Sequence, residues 1–217
     1  MIARALVFDF DGTIIDTETP VYESWRATFE WAGAEPIGLE AWQAQIGLAD
    51  ADSIDLRAVL CEQLGVDEVP PDLEDYRRRR RDELLHALPI RDGIIEWLER
   101  ALDAGVEVAV ASSSGTGWVD GNLRRIGLRH HFEVLSCADP GVPGKPDPHV
   151  YREACRRIGV ETVEAIAIED SPNGVRAAVA AGMRCIAAPG PITAGADFSQ
   201  ATVAVASLAE LDPADWL

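Results

Sequence analysis

Lysine is almost missing from this chain. Of its 19 basic residues all but one are arginine, and the exception is Lys145. In a chain that otherwise builds positive charge from arginine, that position calls for a compact ammonium rather than a planar fork. Positive charge as a whole is scarce: 19 Lys and Arg stand against 37 Asp and Glu, for a formal charge of −18. Nucleic acid and anionic membranes are bound by excess Lys and Arg, so both are excluded as partners. An anionic small substrate would need a local cationic site, made of metal or of a few chosen side chains. Long apolar runs are also missing. No stretch of eighteen apolar residues occurs, which excludes a transmembrane helix, and the N-terminal apolar segment is too short for a signal peptide and is interrupted by Asp9. Cysteine is sparse: Cys61, Cys137, Cys155 and Cys185 are far apart, with no C-x-x-C spacing. Buried reduced thiols in a cytoplasmic protein are expected, not disulfides or a zinc site.

What is present is an ordinary globular composition, 47% hydrophobic and 26% charged over 217 residues, enough for one sizeable domain or a core with a smaller companion. The chain is organised around Leu6-Val7-Phe8-Asp9-Phe10-Asp11-Gly12-Thr13. An apolar, fully buried strand ends there in two carboxylates and a glycine. Residues two apart on a strand point the same way, so Asp9 and Asp11 are expected to leave one side together, at the sheet edge where open α/β sheets bind ligands. An Asp-Gly turn accounts for Asp11 and Gly12. It leaves Asp9 without a reason, and a carboxylate in apolar surroundings is costly unless something pairs with it.

Beyond a connector from Thr13 to Thr19, Val21, Trp25, Phe29 and Ala32 recur at helical spacing up to Gly33. A second helix carries Ile54, Ala58, Cys61 and Leu64, with Asp52 or Ser53 as its cap, and a third runs from about Asp72 to His86 after Pro70-Pro71. Residues 17–87 therefore read as an inserted all-helical cap domain, and 1–16 with 88–217 as the α/β core. Within the third helix Arg77 to Arg81 cannot share a face at 100° per residue, and the run reads as a solvated helix surface. From Asp92 on, helix and strand alternate. Asp92 caps a helix to Ala104 with Ile95, Leu98 and Leu102 inward. Strands follow at Val106–Ala111, Glu133–Cys137, Ala165–Ile168, Arg184–Ala188 and Thr202–Ala206, with helices between them. Such alternation specifies a parallel, doubly wound, Rossmann-like sheet.

On a parallel sheet, Asp9 and Asp11, Ser112, the loop holding Lys145, and Glu169-Asp170 all reach one edge. Two like charges 4 Å apart repel by about 4 kcal/mol at an effective dielectric of 20. A hard divalent cation relieves this, and Mg²⁺ prefers oxygen ligands from a few carboxylates. Lys145 and the Ser112 hydroxyl, helped by amides at the start of the helix after Gly115, can then hold a phosphate.

The order of these motifs resembles the haloacid dehalogenase superfamily over nearly the whole chain. Asp9-Phe10-Asp11-Gly12-Thr13 matches its first motif and Ser112, after Val108-Ala109-Val110-Ala111, its second. Lys145-Pro146-Asp147-Pro148 matches the third, and Glu169-Asp170-Ser171 with Gly174 the fourth. The resemblance implies a phosphatase of small phosphorylated metabolites, sugar phosphates first, of the β-phosphoglucomutase and sugar-phosphatase-like branch. Asp9 would be the nucleophile and Asp11 the acid and base. Asp9, the Asp11 carbonyl, Asp170 and Glu169 would bind Mg²⁺. Lys145, Ser112, Ser113 and Gly12 would hold the phosphoryl group, with Ser114 and Asn173 as helpers. A monomer is expected.

Rival readings are testable on the same residues. Dehalogenases of the superfamily lack the second Asp of the first motif, and Asp11 is present. Phosphonate-cleaving relatives need a cap lysine, which a chain whose only lysine is Lys145 does not have. A phosphoglucomutase-like enzyme, the alternative reading, carries a hinge histidine where Val21 stands. For a dinucleotide-binding loop, Gly121 falls one residue late after Gly115-Thr116-Gly117, and Trp118 would crowd a pyrophosphate. His130-His131 reads as a surface pair beside a helix end, not a metal site. A non-catalytic phosphometabolite-binding protein is the remaining class, and retention of Asp9 and Asp170 argues against it.

Overall fold

The computed structural model describes residues 3–49 and 52–217. Six parallel strands form one sheet in the order β3-β2-β1-β4-β5-β6. They are β1 (Ala5–Phe8), β2 (Glu107–Ser112), β3 (Val134–Cys137), β4 (Ala165–Glu169), β5 (Arg184–Ala187) and β6 (Val203–Ala204). β1 is central, pairing Phe8 with Val110 on one side and with Ile168 on the other. The chain winds outward in one direction through β2 and β3, then in the other through β4, β5 and β6. The crevice where the direction reverses lies between β1 and β4, the place where such sheets take ligands.

Strand alternation gives the sheet two unlike faces. Leu6, Phe8, Val108, Val110, Ile166 and Ile168 cover one with large side chains. Against it pack α5 (Ile94–Asp103) and α6 (Thr116–Arg125). The other face is mostly alanine, with Ala5, Ala109, Ala111, Ala165, Ala167 and Ala187. The small side chains let α7 (His149–Ile158) and α8 (Pro172–Ala180) pack against it, through Tyr151, Ala154, Ala177 and Ala178.

Between β1 and β2, and with no strand among its described residues, lies a helical block: α1 (Glu18–Ala32), α2 (Leu39–Gln45), α3 (Leu56–Leu64) and α4 (Pro71–His86). It buries an apolar cluster of its own around Trp25, Phe29, Trp42 and Leu60. α1 and α4 pair, and Arg77 stacks on Trp25, 4.6 Å from the ring centroid, while donating to Glu74 at 2.6 Å.

Several local expectations are corrected. The cap of α3 is Asp55, which accepts from the Arg57 and Ala58 amides, and not Asp52 or Ser53. α2, at seven residues, is too short to show a periodic stripe and has no counterpart in the sequence reading. α5 starts from Gly93 rather than Asp92, so its buried stripe is Ile94, Trp97, Leu98 and Ala101, at the i, i+3, i+4, i+7 spacing of an amphipathic helix. Ile95 and Leu102 are 38% and 42% exposed. α8 opens at Pro172, because the Ser171 hydroxyl accepts from the Gly174 amide as an N-cap does. The Arg77–Arg81 run is not uniformly solvated, since Arg77 is buried. Cys137, Cys155 and Cys185 are buried free thiols; Cys61 is half-buried and also free.

Candidate active site

β1 ends at Phe8, and the Asp9 amide extends the ladder by one bond to the Ile168 carbonyl, 2.9 Å away. Strand alternation therefore stops short of Asp11. The chain instead turns at Gly12, whose φ of +79° and position under Asp170 leave no room for a side chain: a Cβ would lie 2.2 Å from Asp170 Oδ2. Asp9 and Asp11 reach the same edge, but through this turn, and their carboxylates have separate partners.

Asp9 belongs to a buried charged cluster. Lys145, 1% exposed, contacts Asp9 Oδ1 with its ammonium and donates to Glu169 Oε1 at 2.6 Å. Tyr151 from α7 donates to that same oxygen at 2.7 Å. Glu169 Oε2 accepts from the amides of Asp170 and Ser171 and from the Ser171 hydroxyl at 3.1 to 3.2 Å. The only lysine ammonium of the chain thus sits buried between two carboxylates. Burial works against the charge on Lys145, but Asp9 and Glu169 outweigh it and raise its pKa.

Asp11 is held by neutral donors. Its Oδ1 accepts from the Thr17 hydroxyl and the Trp118 indole, both at 2.7 Å. Its Oδ2 accepts from Ser114 at 2.6 Å, with the Ser112 hydroxyl 3.5 Å away. Ser112 ends β2 and accepts from the Ser114 amide. The Thr116 amide that begins α6 is taken by Asp139 at 2.8 Å, so that helix start does not offer all its amides to an anion. Ser113 sits apart from Asp9 and Asp11: its hydroxyl accepts from the Lys145 amide and donates to the Gly47 carbonyl.

Gly47 belongs to the helical block, and its contact is one of several that seat the segment after α2 on the sheet's loops. Asn173 donates to the Ile46 carbonyl at 2.7 Å, and Gln43 to the Ile192 carbonyl at 2.6 Å. A Cβ on Gly144 would meet Ala49 at 2.5 Å. Behind the site, Arg91 donates to the carbonyls of Gly12, Ala188 and Pro189, tying the return from the helical block to the loops after β1 and β5. Glu18, the first residue of α1, is half-buried among acids. Desolvation first, and then Asp11, Asp9 and Asp16, push its carboxyl up to about 8.

The family model for haloacid dehalogenase-like hydrolases matches residues 6–188. This chain is a haloacid dehalogenase-like hydrolase. It is 37% identical to YhcW of Bacillus subtilis, a protein named as a phosphatase, over 96% of this chain and 94% of that one. It is 30% identical to the phosphorylated carbohydrates phosphatase of Thermotoga maritima, over 84% and 83% of the two chains. Crystal structures of CbbY from Rhodobacter sphaeroides, in complex with phosphate and, as a mutant, with xylulose-(1,5)bisphosphate, superpose with a TM-score of 0.78. They share 30% identity over 97% of this chain and 96% of CbbY.

In this hydrolase the donor set at β1 and β4 suits a hard cation. Asp9, Glu169 and Asp170 place one carboxylate oxygen each within 4.8 Å of one another. Among the described residues, Asp9 Oδ2 is buried with no hydrogen-bond partner, and the Asp170 oxygens have only the hydroxyls of Thr13 and Thr193, each at 3.4 Å. Burial, then the charges of Asp9, Glu169 and Glu18, hold the Asp170 carboxyl well above its usual range. Asp9 is likewise raised to about 7, by burial against the pull of Lys145. Unsatisfied carboxylate oxygens converging on one point, with a single ammonium to offset them, fit Mg²⁺ in oxygen coordination.

Of the residues expected at the site, Asp9, Gly12, Lys145, Glu169 and Asp170 form one contiguous group, and Asp11 with Ser112 a second beside it. Sequence reasoning missed Tyr151, Trp118, Thr17, Arg91 and Glu18. Trp118 and Tyr151 had local signals, an aromatic just after a strand-end serine and a Tyr on the buried face of α7. Arg91 had none.

Proposed function

We propose that this protein is a Mg²⁺-dependent phosphatase of small phosphorylated metabolites, sugar phosphates above all, working through an aspartyl-phosphate on Asp9. The observation that carries the reading is the division of labour between two carboxylates. Asp9 is buried, charge-paired to Lys145 and short of hydrogen-bond partners, whereas Asp11 is fixed beside it by neutral donors alone.

Asp9, Asp170 and the Asp11 carbonyl would hold the Mg²⁺, with Glu169, whose oxygens are already engaged, acting through water. The ion, when bound, supplies positive charge to the phosphoryl oxygens. In the first half-reaction Asp9 forms an O–P bond. The ester P–O bond breaks with its electron pair going to the leaving oxygen, which takes a proton from Asp11. In the second, Asp11 takes a proton from water, the hydroxide oxygen bonds to phosphorus, and the Asp9–phosphorus bond returns its electrons to the carboxylate. Lys145 and Ser112 hold the equatorial oxygens throughout, a task of positioning and charge stabilisation. Glu169 and Tyr151 orient Lys145. Residues 17–87 act as a cap that excludes bulk water. The names of relatives acting on phosphorylated carbohydrates support that substrate class.

The test is phosphate release from a panel of sugar phosphates, nucleotides and phosphoglycolate, in Mg²⁺ and in EDTA, with Asp9→Asn alongside. Turnover of a few related sugar phosphates, abolished by EDTA and by the variant, is the expected result. Turnover that survives both would overturn the site assignment.

A further inference from the structure

We infer that Trp118 is a positioning residue for Asp11 and that it selects which carboxylate oxygen carries the transferred proton. The inference rests on the acid–base role proposed for Asp11. An indole N–H can only donate, whereas the Ser and Thr hydroxyls can donate or accept. Trp118 Nε1 donates to Asp11 Oδ1 at 2.7 Å, and Thr17 donates to the same oxygen. When Asp11 takes up a proton, Thr17 can rotate to suit it but Trp118 cannot, so Oδ1 stays an acceptor. The proton then resides on Oδ2. That oxygen lies beside Ser112, 3.5 Å from its hydroxyl, the residue to which the proposed function assigns the phosphoryl group. It has one short partner, Ser114, and a lone pair left for the proton.

The ring of Trp118 is itself fixed on two sides. It packs on the large-residue core of the sheet, and Arg81 of α4 lies over it, 5.4 Å from the centroid. A cation over the ring face is attracted by it, so the helical block helps to hold the indole at the angle that reaches Asp11. Arg81 is thereby singled out from the arginine run as a contact to the reaction centre at one remove.

The step concerned moves one proton. As the ester P–O bond breaks, the Asp11 Oδ2–H bond gives its proton to the leaving oxygen and keeps the electron pair. An alkoxide leaving group needs that proton, and p-nitrophenolate does not. Trp118→Phe removes the N–H and keeps a ring. In the full-length enzyme with Mg²⁺, kcat/KM for fructose 1-phosphate is expected to fall about tenfold further than kcat/KM for p-nitrophenyl phosphate, part of the 10²–10⁴ that a positioned acid contributes. Asp11→Asn should show the same bias, larger. Equal losses on both esters in Trp118→Phe, with the bias kept in Asp11→Asn, would overturn the role of Trp118 and leave Asp11 as the acid. Equal losses in both variants would overturn the acid role and the inference with it. Should Trp118→Phe not fold, ¹⁵N-tryptophan labelling of native and Asp11→Asn chains, both of which keep Trp118, gives the answer. Asp11→Asn should shift one indole N–H resonance upfield, and an unmoved indole spectrum would overturn the inference.

Discussion

Gly174 lies directly against Glu169. A Cβ at position 174 would fall 1.8 Å from Glu169 Oε1 and 2.1 Å from Oε2, inside the carboxylate that orients Lys145. The missing side chain at the start of α8 is what allows this carboxylate to sit there, accepting from Lys145, Tyr151 and the Ser171 backbone at once. Gly174→Ala is expected to cost on the order of 1–3 kcal/mol, as overpacking does, and to lower kcat more than a loss of stability explains. Thermal melts together with kinetics at a temperature where the variant is fully folded separate the two effects. Unchanged kcat in folded Gly174→Ala would show that the Glu169–Lys145 geometry is not critical.

Removing Lys145 leaves two buried carboxylates facing each other. Lys145→Met keeps the length of the side chain and deletes the charge. Breaking one side of a buried ion pair costs about 3–5 kcal/mol, and here the metal-free protein should show the larger destabilisation. Turnover should drop by about 10²–10³, since a donor to developing charge is worth about that much in buried sites. Denaturant unfolding with and without Mg²⁺ and single-substrate kinetics check both halves.

The pH dependence of stability follows from the sign of two shifts. Asp9 and Glu18 are pushed up to about 7 and about 8 in the folded protein, from ordinary values of 3.8 and 4.5. The folded state therefore binds more protons than the unfolded one between these limits, and stability falls as pH rises. In EDTA the melting temperature is expected to decline from pH 5 to pH 8. Glu18→Gln should flatten that decline and raise the midpoint at pH 8 by about 2–4 °C, the equivalent of roughly 1 kcal/mol in a chain of this size. On the proposed function Mg²⁺ would bind the charged carboxylates of the folded state, so adding it should restore stability most at the alkaline end. A midpoint that rises with pH in EDTA would contradict the charge balance described.

Ser113 joins two parts of the molecule, donating to Gly47 of the helical block and accepting from the Lys145 amide. Ser113→Ala cuts that link without touching Asp9 or Asp11. A neutral hydrogen bond is worth about 1 kcal/mol, so a rise in KM of about fivefold is expected, with kcat nearly kept. A fall in kcat with constant KM would place Ser113 on the phosphoryl group instead.

The strand ends were legible in the sequence because each is a local event: a β-branched or apolar run that stops at a polar residue. Parallel strands put Asp9, Ser112 and Glu169 on one edge. The helical stretches were legible in outline for the same reason, although Ile95 and Leu102 show how a one-residue shift of a helix start rotates its buried stripe to the wrong side. What the sequence hid is contact at long separation. Arg91 gripping the Gly12 carbonyl, Gln43 reaching Ile192, and Trp118 meeting Asp11 join segments that share no periodicity and no spacing. α2 hid for a different reason: two turns of helix leave too few residues to form a stripe.

The near-absence of lysine has a practical side. With one side-chain amine in the chain, 1% exposed and clamped between Asp9 and Glu169, reagents that acylate lysine find no target on the folded surface. Acylation of Lys145 becomes a clock for the opening of the pocket. Its rate counts how often the ammonium leaves the charged cluster, and any ligand that keeps the cluster closed slows it in proportion to occupancy.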